Sequence, residues 1–335
     1  MEVERILECV RNCGKTPKNR KRFAIAVLLL VAATILIWPF VFPIHVTGSR
    51  LPYEYTIHGT YVEINKYTGS EEEVVIPGII WFRPVAKIGE KAFEKQKIRS
   101  VYLPDSVKEL GYRSFGLCSN LEEVHLSGRL KSIAGAAFIW CEALQRIEIP
   151  EGVEEIRGNA FKGCENLETV ILPDTLKIIR GFVFEDCGKL EYIEIPGEVE
   201  EICRSAFEGT GWKAGFGDGF ILAGKNVLIH YSGEEETVEV PEGVEYIGYS
   251  LFWKCTNMKQ LVLPASLKRC NQDLFISCDN LEYVVFKNSD IEFQEDSFTR
   301  YIGPNVTIIG KKGSVVEAYA ERMGCSFQNI ESWGG

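Results

Sequence analysis

The chain has 335 residues, 46% of them hydrophobic and 25% charged, with a formal net charge of -10. Such a composition belongs to a folded protein rather than a disordered one. The acidic balance excludes a general phosphate binder, which needs clustered Lys and Arg, and eleven cysteines are too sparse for a small disulfide scaffold and cannot all pair within one chain.

Residues 1–22 carry Arg5, Arg11, Lys15, Lys18, Arg20, Lys21 and Arg22 against Glu2, Glu4 and Glu8, a balance of +4 that leaves -14 for the rest. The run Phe23 to Ile44, FAIAVLLLVAATILIWPFVFPI, has no charged residue. A helix of about 20 residues crosses a bilayer core of roughly 30 Å, so residues 23–44 are expected to form a transmembrane helix. Pro39 and Pro43 suit its outer end, and Trp38 an interfacial position. The positive-inside rule then predicts a cytoplasmic tail over 1–22 and everything beyond Ile44 outside the cell. The run is long and ends in bulky residues rather than a small-residue cleavage site, which favours an uncleaved signal-anchor over a signal peptide. Residues 45–52 form a spacer.

From about residue 53 the chain repeats. Leu103, Leu126, Ile149, Leu172 and Ile195 are spaced by 23, as are Phe115, Phe138, Phe161, Phe184 and Phe207. The period resumes at Val240, Leu263, Phe286 and Ile309, with Phe252, Phe275 and Phe298. In each unit a period-two pair such as Ile147 and Ile149 predicts a short strand with one buried face. The proline that follows, as at Pro104, Pro150 and Pro173, lacks an N–H and ends the ladder. A second apolar pair such as Val153 and Ile156, an Ala-Phe turn and the next leucine complete a core that only stacked neighbours can bury. The predicted architecture is therefore a β-rich repeat solenoid of short parallel strands.

The pattern LxxVxLPxxVxxIxxxAFxxCxxL resembles the leucine-rich repeat of the BspA type, found on bacterial surface proteins and in some protists. The resemblance covers residues 53–330, with a hairpin insertion at about 211–236 and a closing helix at about 314–324. In that helix Ser314 suits an N-cap, Glu317 a capping box and Gly324 a C-cap, with Val315, Tyr319 and Met323 sharing one face. The family implies a scaffold for binding or adhesion with no shared catalytic site.

Cys118, Cys141, Cys164 and Cys187 are 23 apart, as are Cys255 and Cys278. Spacing permits either a buried thiol column or bridges between units; parallel side chains in a ladder favour mostly free, buried thiols. Cys9 and Cys13 lie four apart in the tail. His45, His58, His125 and His230 form no paired motif, and GxSxG, Walker A and dinucleotide fingerprints are missing from the sequence. The expectation is a non-enzyme with no catalytic, cofactor-binding or metal residues.

Outward strand positions form two columns. One runs through Tyr102, His125, Glu148, Ile171, Glu194, Glu239, Val262 and Val285; the other includes Glu123, Arg146, Tyr192 and Tyr283. Such acids also simply keep an extended surface soluble, but aromatics among polar groups are common interface anchors. On this reading the columns are candidate binding residues for an extracellular protein or glycan, with no nucleic-acid partner. The alternative is an envelope scaffold that gathers the cell's own membrane or surface proteins through the tail or anchor.

Overall fold

Each 23-residue unit lays down two short parallel strands, and the register confirms the period: Arg146 lies opposite Thr169, Thr237 opposite Gln260 and Tyr246 opposite Arg269. The computed structural model describes residues 44–334 apart from 249–250, 253–254, 272–273, 275–277 and 295–304. The expected tail and anchor, Cys9 and Cys13, and the repeat phenylalanines Phe275 and Phe298 lie outside the described residues. Among those described, no helix is long and apolar enough to cross a membrane.

One column of strands contains Glu73–Val75, Ser100–Tyr102, Glu123–His125, Arg146–Glu148 and Thr169–Ile171, and later Thr237–Glu239, Gln260–Leu263, Tyr283–Phe286 and Thr307–Gly310. The other contains Arg83–Ile88, Glu109–Leu110, Ser132–Ile133, Glu155–Ile156, Ile178–Ile179 and Glu201–Ile202, then Val227–Ser232, Tyr246–Ile247 and Arg269–Asn271. Between the columns lies the core. Phe93, Phe115, Phe138, Phe161, Phe184 and Phe207 stack ring on ring with centroids 4.9–5.6 Å apart. One ring per rung is how a repeat with no core of its own acquires one from its neighbours.

The cysteine column has a role beyond filling space. The thiols of Cys118, Cys141, Cys164, Cys187 and Cys278 donate to the carbonyl oxygens of Phe93, Phe115, Phe138, Phe161 and Phe252, at 2.9–3.2 Å. Each bond ties one unit to the phenylalanine of the unit before. All five side chains are buried, and none is in a disulfide. Burial pushes the thiols of Cys118, Cys187 and Cys278 up to about 12, and those of Cys141 and Cys164 well above the ordinary value.

The insertion opens with a short helix, Gly211–Ala214, N-capped by Thr210, whose hydroxyl accepts from the Lys213 N–H. Its hairpin strands, Gly219–Ala223 and Val227–Ser232, are antiparallel. The second of them pairs in parallel with Tyr246–Ile247, so the hairpin supplies a rung of the ladder rather than leaving it. The apolar core divides here, one cluster ending at Val227, Ile229 and Tyr246 and the next beginning at Leu228 and Tyr231.

The closing helix is Val315–Met323, with Ser314 accepting from the Val316 N–H and Gly324 left-handed at φ 70°. Two details differ from the sequence reading. Glu317 accepts from the Gly313 N–H at 2.6 Å, one residue before the N-cap. The buried face is Val316, Tyr319, Ala320 and Met323, while Val315 is exposed. The helix does not end the fold, because Ser326–Asn329 adds a parallel strand beside Thr307–Gly310 and leads into a turn at Ile330–Ser332.

At the other end, Ile44–Val46 pairs antiparallel with Tyr53–Ile57, which pairs with Val62–Tyr67. The chain is thus already part of the first sheet at Ile44, which corrects two expected bounds: Ile44 does not end a membrane helix and 45–52 is not a plain spacer, because Ile44–Val46 pairs with Tyr53–Ile57 and Ile44 and Val46 pack against the core.

Candidate partner-binding face

Alternation along the first strand column turns one side chain per rung inward and its neighbours outward. Val74, Val101, Val124, Ile147 and Val170 are buried, whereas Val75, Tyr102, His125, Glu148 and Ile171 are exposed. Val75 is opposite Tyr102, Tyr102 opposite His125, and Glu148 opposite Ile171. Parallel in-register pairing therefore aligns one sequence position per unit into a row of two stretches, one from Val75 through Tyr102 to His125 and a second from Glu148 to Ile171.

Within the row, Tyr102 and His125 stack face to face, with ring centroids 4.0 Å apart and planes 12° from parallel. Nε2 of His125 is 2.7 Å from Oε1 of Glu123, so the carboxylate orients the imidazole and the imidazole supports the phenol ring. Arg146 lies 3.7 Å from Glu148. Acids preceding the strands are partly neutralised: Glu122 pairs with Arg99 at 2.9 Å and Glu168 with Lys189 at 3.6 Å. Among the described residues Glu194 and Glu239 have no ion-pair partner. Exposed pairs of this kind contribute little stability, roughly 0–1 kcal/mol each, so their arrangement matters for what the face presents.

Tyr192 and Glu194 are exposed, Tyr192 to 70%, yet residues 191–196 form no strand. The stretch one period later, Gly215-Phe216-Gly217, is not a strand either, so the ladder has no next rung on that side. Ser100, an outward position by alternation, is buried.

Two expected members of the face are not on the surface. Val262 and Val285 are only 4% and 1% exposed. They cluster with Ile309 beneath Ile330 and Trp333. The terminal segment folds back over the outward side of the last rungs, a contact between residues far apart in sequence that no repeat position encodes. The candidate face is therefore open from Val75 to Glu194, resumes at Glu239 and is closed at Val262 and Val285, with Tyr283 exposed at the margin of the cover.

Exposed apolar residues off these columns escape alternation altogether. Ile79, Trp81 and Phe82 project from a hairpin near the N-terminal end, and Tyr112 and Phe182 from repeat turns. Their signal in the sequence is only the presence of bulky apolar residues at turn positions. No group of His, Cys, Asp and Glu among the described residues converges on a point that could hold a metal ion.

Residues 86–212 and 227–320 match the BspA type leucine rich repeat region, in six copies. No curated protein is similar to the chain. A leucine-rich cell surface protein from Faecalibacterium prausnitzii shares 21% identity over 86% of this chain and 95% of its own, with a TM-score of 0.42. The pneumococcal vaccine antigen PcpA shares 16% identity over 85% and 98% of the two chains, TM-score 0.43. A Treponema pallidum leucine-rich repeat protein shares 20% over 84% and 98%, TM-score 0.36. With more than half of its length matched by the repeat pattern, this chain belongs to the BspA-type leucine-rich repeat family.

Proposed function

We propose that this is a non-catalytic recognition protein of the cell surface. In this reading residues 1–22 lie in the cytoplasm, the uncharged run from Phe23 up to the strand that begins at Ile44 crosses the membrane, and the repeat domain binds an extracellular protein or glycan. The observation that carries it is the outward set Val75, Tyr102 and His125 on one group of paired strands and Glu148 and Ile171 on the next: apolar, aromatic and acidic groups, each set held in register. A flat aromatic pair fixed by a carboxylate loses little conformational freedom on contact, which is what an interface anchor needs. The solenoid supplies the length, and the outward side chains supply the specificity.

The test is binding by cells that display the full chain, scored against arrays of glycans and of surface proteins. The triple variant Tyr102→Ala, His125→Ala and Glu148→Lys is expected to lose binding at least tenfold, with the thermal midpoint unchanged because all three side chains are exposed. Retention of every array signal by the triple variant would show that the face lies elsewhere.

A further inference from the structure

The hairpin Ile79–Ile80 to Arg83 closes through Trp81 and Phe82 alone, since Ile79 pairs with Pro84 and Ile80 with Arg83. Both turn residues are left-handed, Trp81 at φ 51° and Phe82 at φ 61°. A two-residue turn with two positive φ values is the type that selects Asn-Gly. Bulky aromatics pay a conformational cost there; single left-handed residues recur in the repeat turns, as at Leu117, Trp140 and Phe182, but among the described non-glycine residues only Trp81 and Phe82 are left-handed in succession. The tip is also apolar and bare: Phe82 is 98% exposed, Trp81 62% and Ile79 69%, with Pro84 exposed beside them.

The tip is nonetheless fixed in place. The Trp81 indole N–H donates to the Tyr55 hydroxyl at 2.8 Å. Nε of Arg83 donates to the Gly59 carbonyl at 3.1 Å, and Nη1 to the Trp81 carbonyl at 3.2 Å. An indole held with its ring exposed is not a side chain that failed to find the core.

Its position in the first sheet indicates what it meets. Ile44 pairs with Ile57, Ile57 with Val62, and Val62 with Val85. These four residues form one row across the sheet, about 14 Å from end to end at the usual strand spacing. The strand Ile44–Val46 runs away from Ile44, so whatever precedes Ile44 leaves from the end of the sheet that holds the His58–Tyr61 turn. Arg83 bonds that same turn through Gly59, and the tip lies just beyond it. The aromatic tip and the exit of the uncharged run Phe23–Ile44 thus share one end of one sheet. Nearby, exposed Lys108 and Arg129 line a groove with Pro84 and the exposed carboxylate of Glu109, a balance of two cations to one acid that leaves the groove weakly attractive to anionic headgroups.

We infer that Trp81 and Phe82 rest in the headgroup layer of the bilayer that carries the chain, giving the solenoid a second contact with the membrane beside its anchor. Trp is favoured at that interface because its ring is apolar and its N–H polar. The inference rests on the reading of the uncharged run that leads up to Ile44 as a transmembrane anchor.

The test uses the full chain reconstituted in vesicles of phosphatidylcholine and phosphatidylglycerol, with and without bromine on the acyl chains near the headgroups, reading tryptophan fluorescence. In a Trp38→Phe background, bromolipid quenching is expected to persist. It should fall to baseline on adding Trp81→Phe and return on further adding Phe82→Trp. Equal quenching in W38F and W38F/W81F overturns the inference, including the case where the tip binds a second copy of the chain instead of lipid. The anchor is read separately: if the unaltered chain is quenched no more than W38F, Trp38 is not in the bilayer and the anchor reading fails too.

Discussion

Replacing Phe161 by Ala is expected to lower the unfolding free energy by roughly 3–5 kcal/mol, the usual loss for a large aromatic removed from a packed core. Phe161 is fully buried and lies between two parallel neighbours, 5.4 Å from Phe138 and 5.6 Å from Phe184. The rung cannot collapse into the gap, because the strands on either side are held at fixed spacing by their own ladders. Its backbone N–H also bonds the Val183 carbonyl at 2.9 Å, so disorder at this ring reaches the next unit directly. In a solenoid the nearest-neighbour interfaces carry most of the stability, and one substitution here weakens two of them. Denaturant titration of the full chain in detergent checks this. The midpoint should fall with little change in slope, and amide exchange should quicken first from Phe138 to Phe184. Replacing exposed Ile171 by Ala should lower the unfolding free energy by well under about 1 kcal/mol, and a loss at Phe161 no larger than that would show that the ring column is not the core.

The ring and thiol columns were legible because a repeat reads the same constraint many times: Phe115, Phe138, Phe161 and Phe184 recur only if each must meet the next. The open part of the face, from Tyr102 to Glu194, followed from period-two alternation for the same reason. Val262 and Val285 occupy the same outward positions and obey the same alternation, yet Ile330 and Trp333 cover them. What decides their burial lies outside the repeat and belongs to a terminal segment that occurs once. The Trp81–Phe82 turn was hidden for another reason. Turn prediction rests on residues that adopt positive φ cheaply, and here two residues that do not are held there by their surroundings. The hairpin rung illustrates a third limit: the sequence marks Gly219 to Ser232 as an insertion, but only pairing with Tyr246–Ile247 shows that it continues the ladder.

Raising the pH should destabilise this protein steeply, and the thiol column is the reason. Each of Cys118, Cys141, Cys164, Cys187 and Cys278 is buried as a neutral S–H that donates to a phenylalanine carbonyl. Loss of the proton would place a thiolate against a carbonyl oxygen in an apolar core, which is why burial raises the pKa, to about 12 for Cys118. In the unfolded chain the same groups titrate near an ordinary thiol value of about 8.5. A folded pKa above the unfolded one means the contribution is whole below about pH 8.5 and is lost as pH climbs toward about 12. Between those limits each thiol costs up to about 1.4 kcal/mol per pH unit. Several act together, so the loss near pH 10 is several kcal/mol, comparable with total stabilities of about 5–15 kcal/mol. Buried Tyr53, pushed from an ordinary phenol value of about 10 up to about 12, adds to the loss only above about pH 10. The check is unfolding free energy measured at half-unit steps from pH 7.5 to 10.5. Replacing Cys141 and Cys164 by Ala should lower stability at pH 7.5 but flatten the alkaline slope by about two protons, because Ala leaves nothing to titrate. A slope identical in the variant and the unaltered chain would mean that those thiols ionise as readily folded as unfolded, and that the thiol column is not the cause of the alkaline loss.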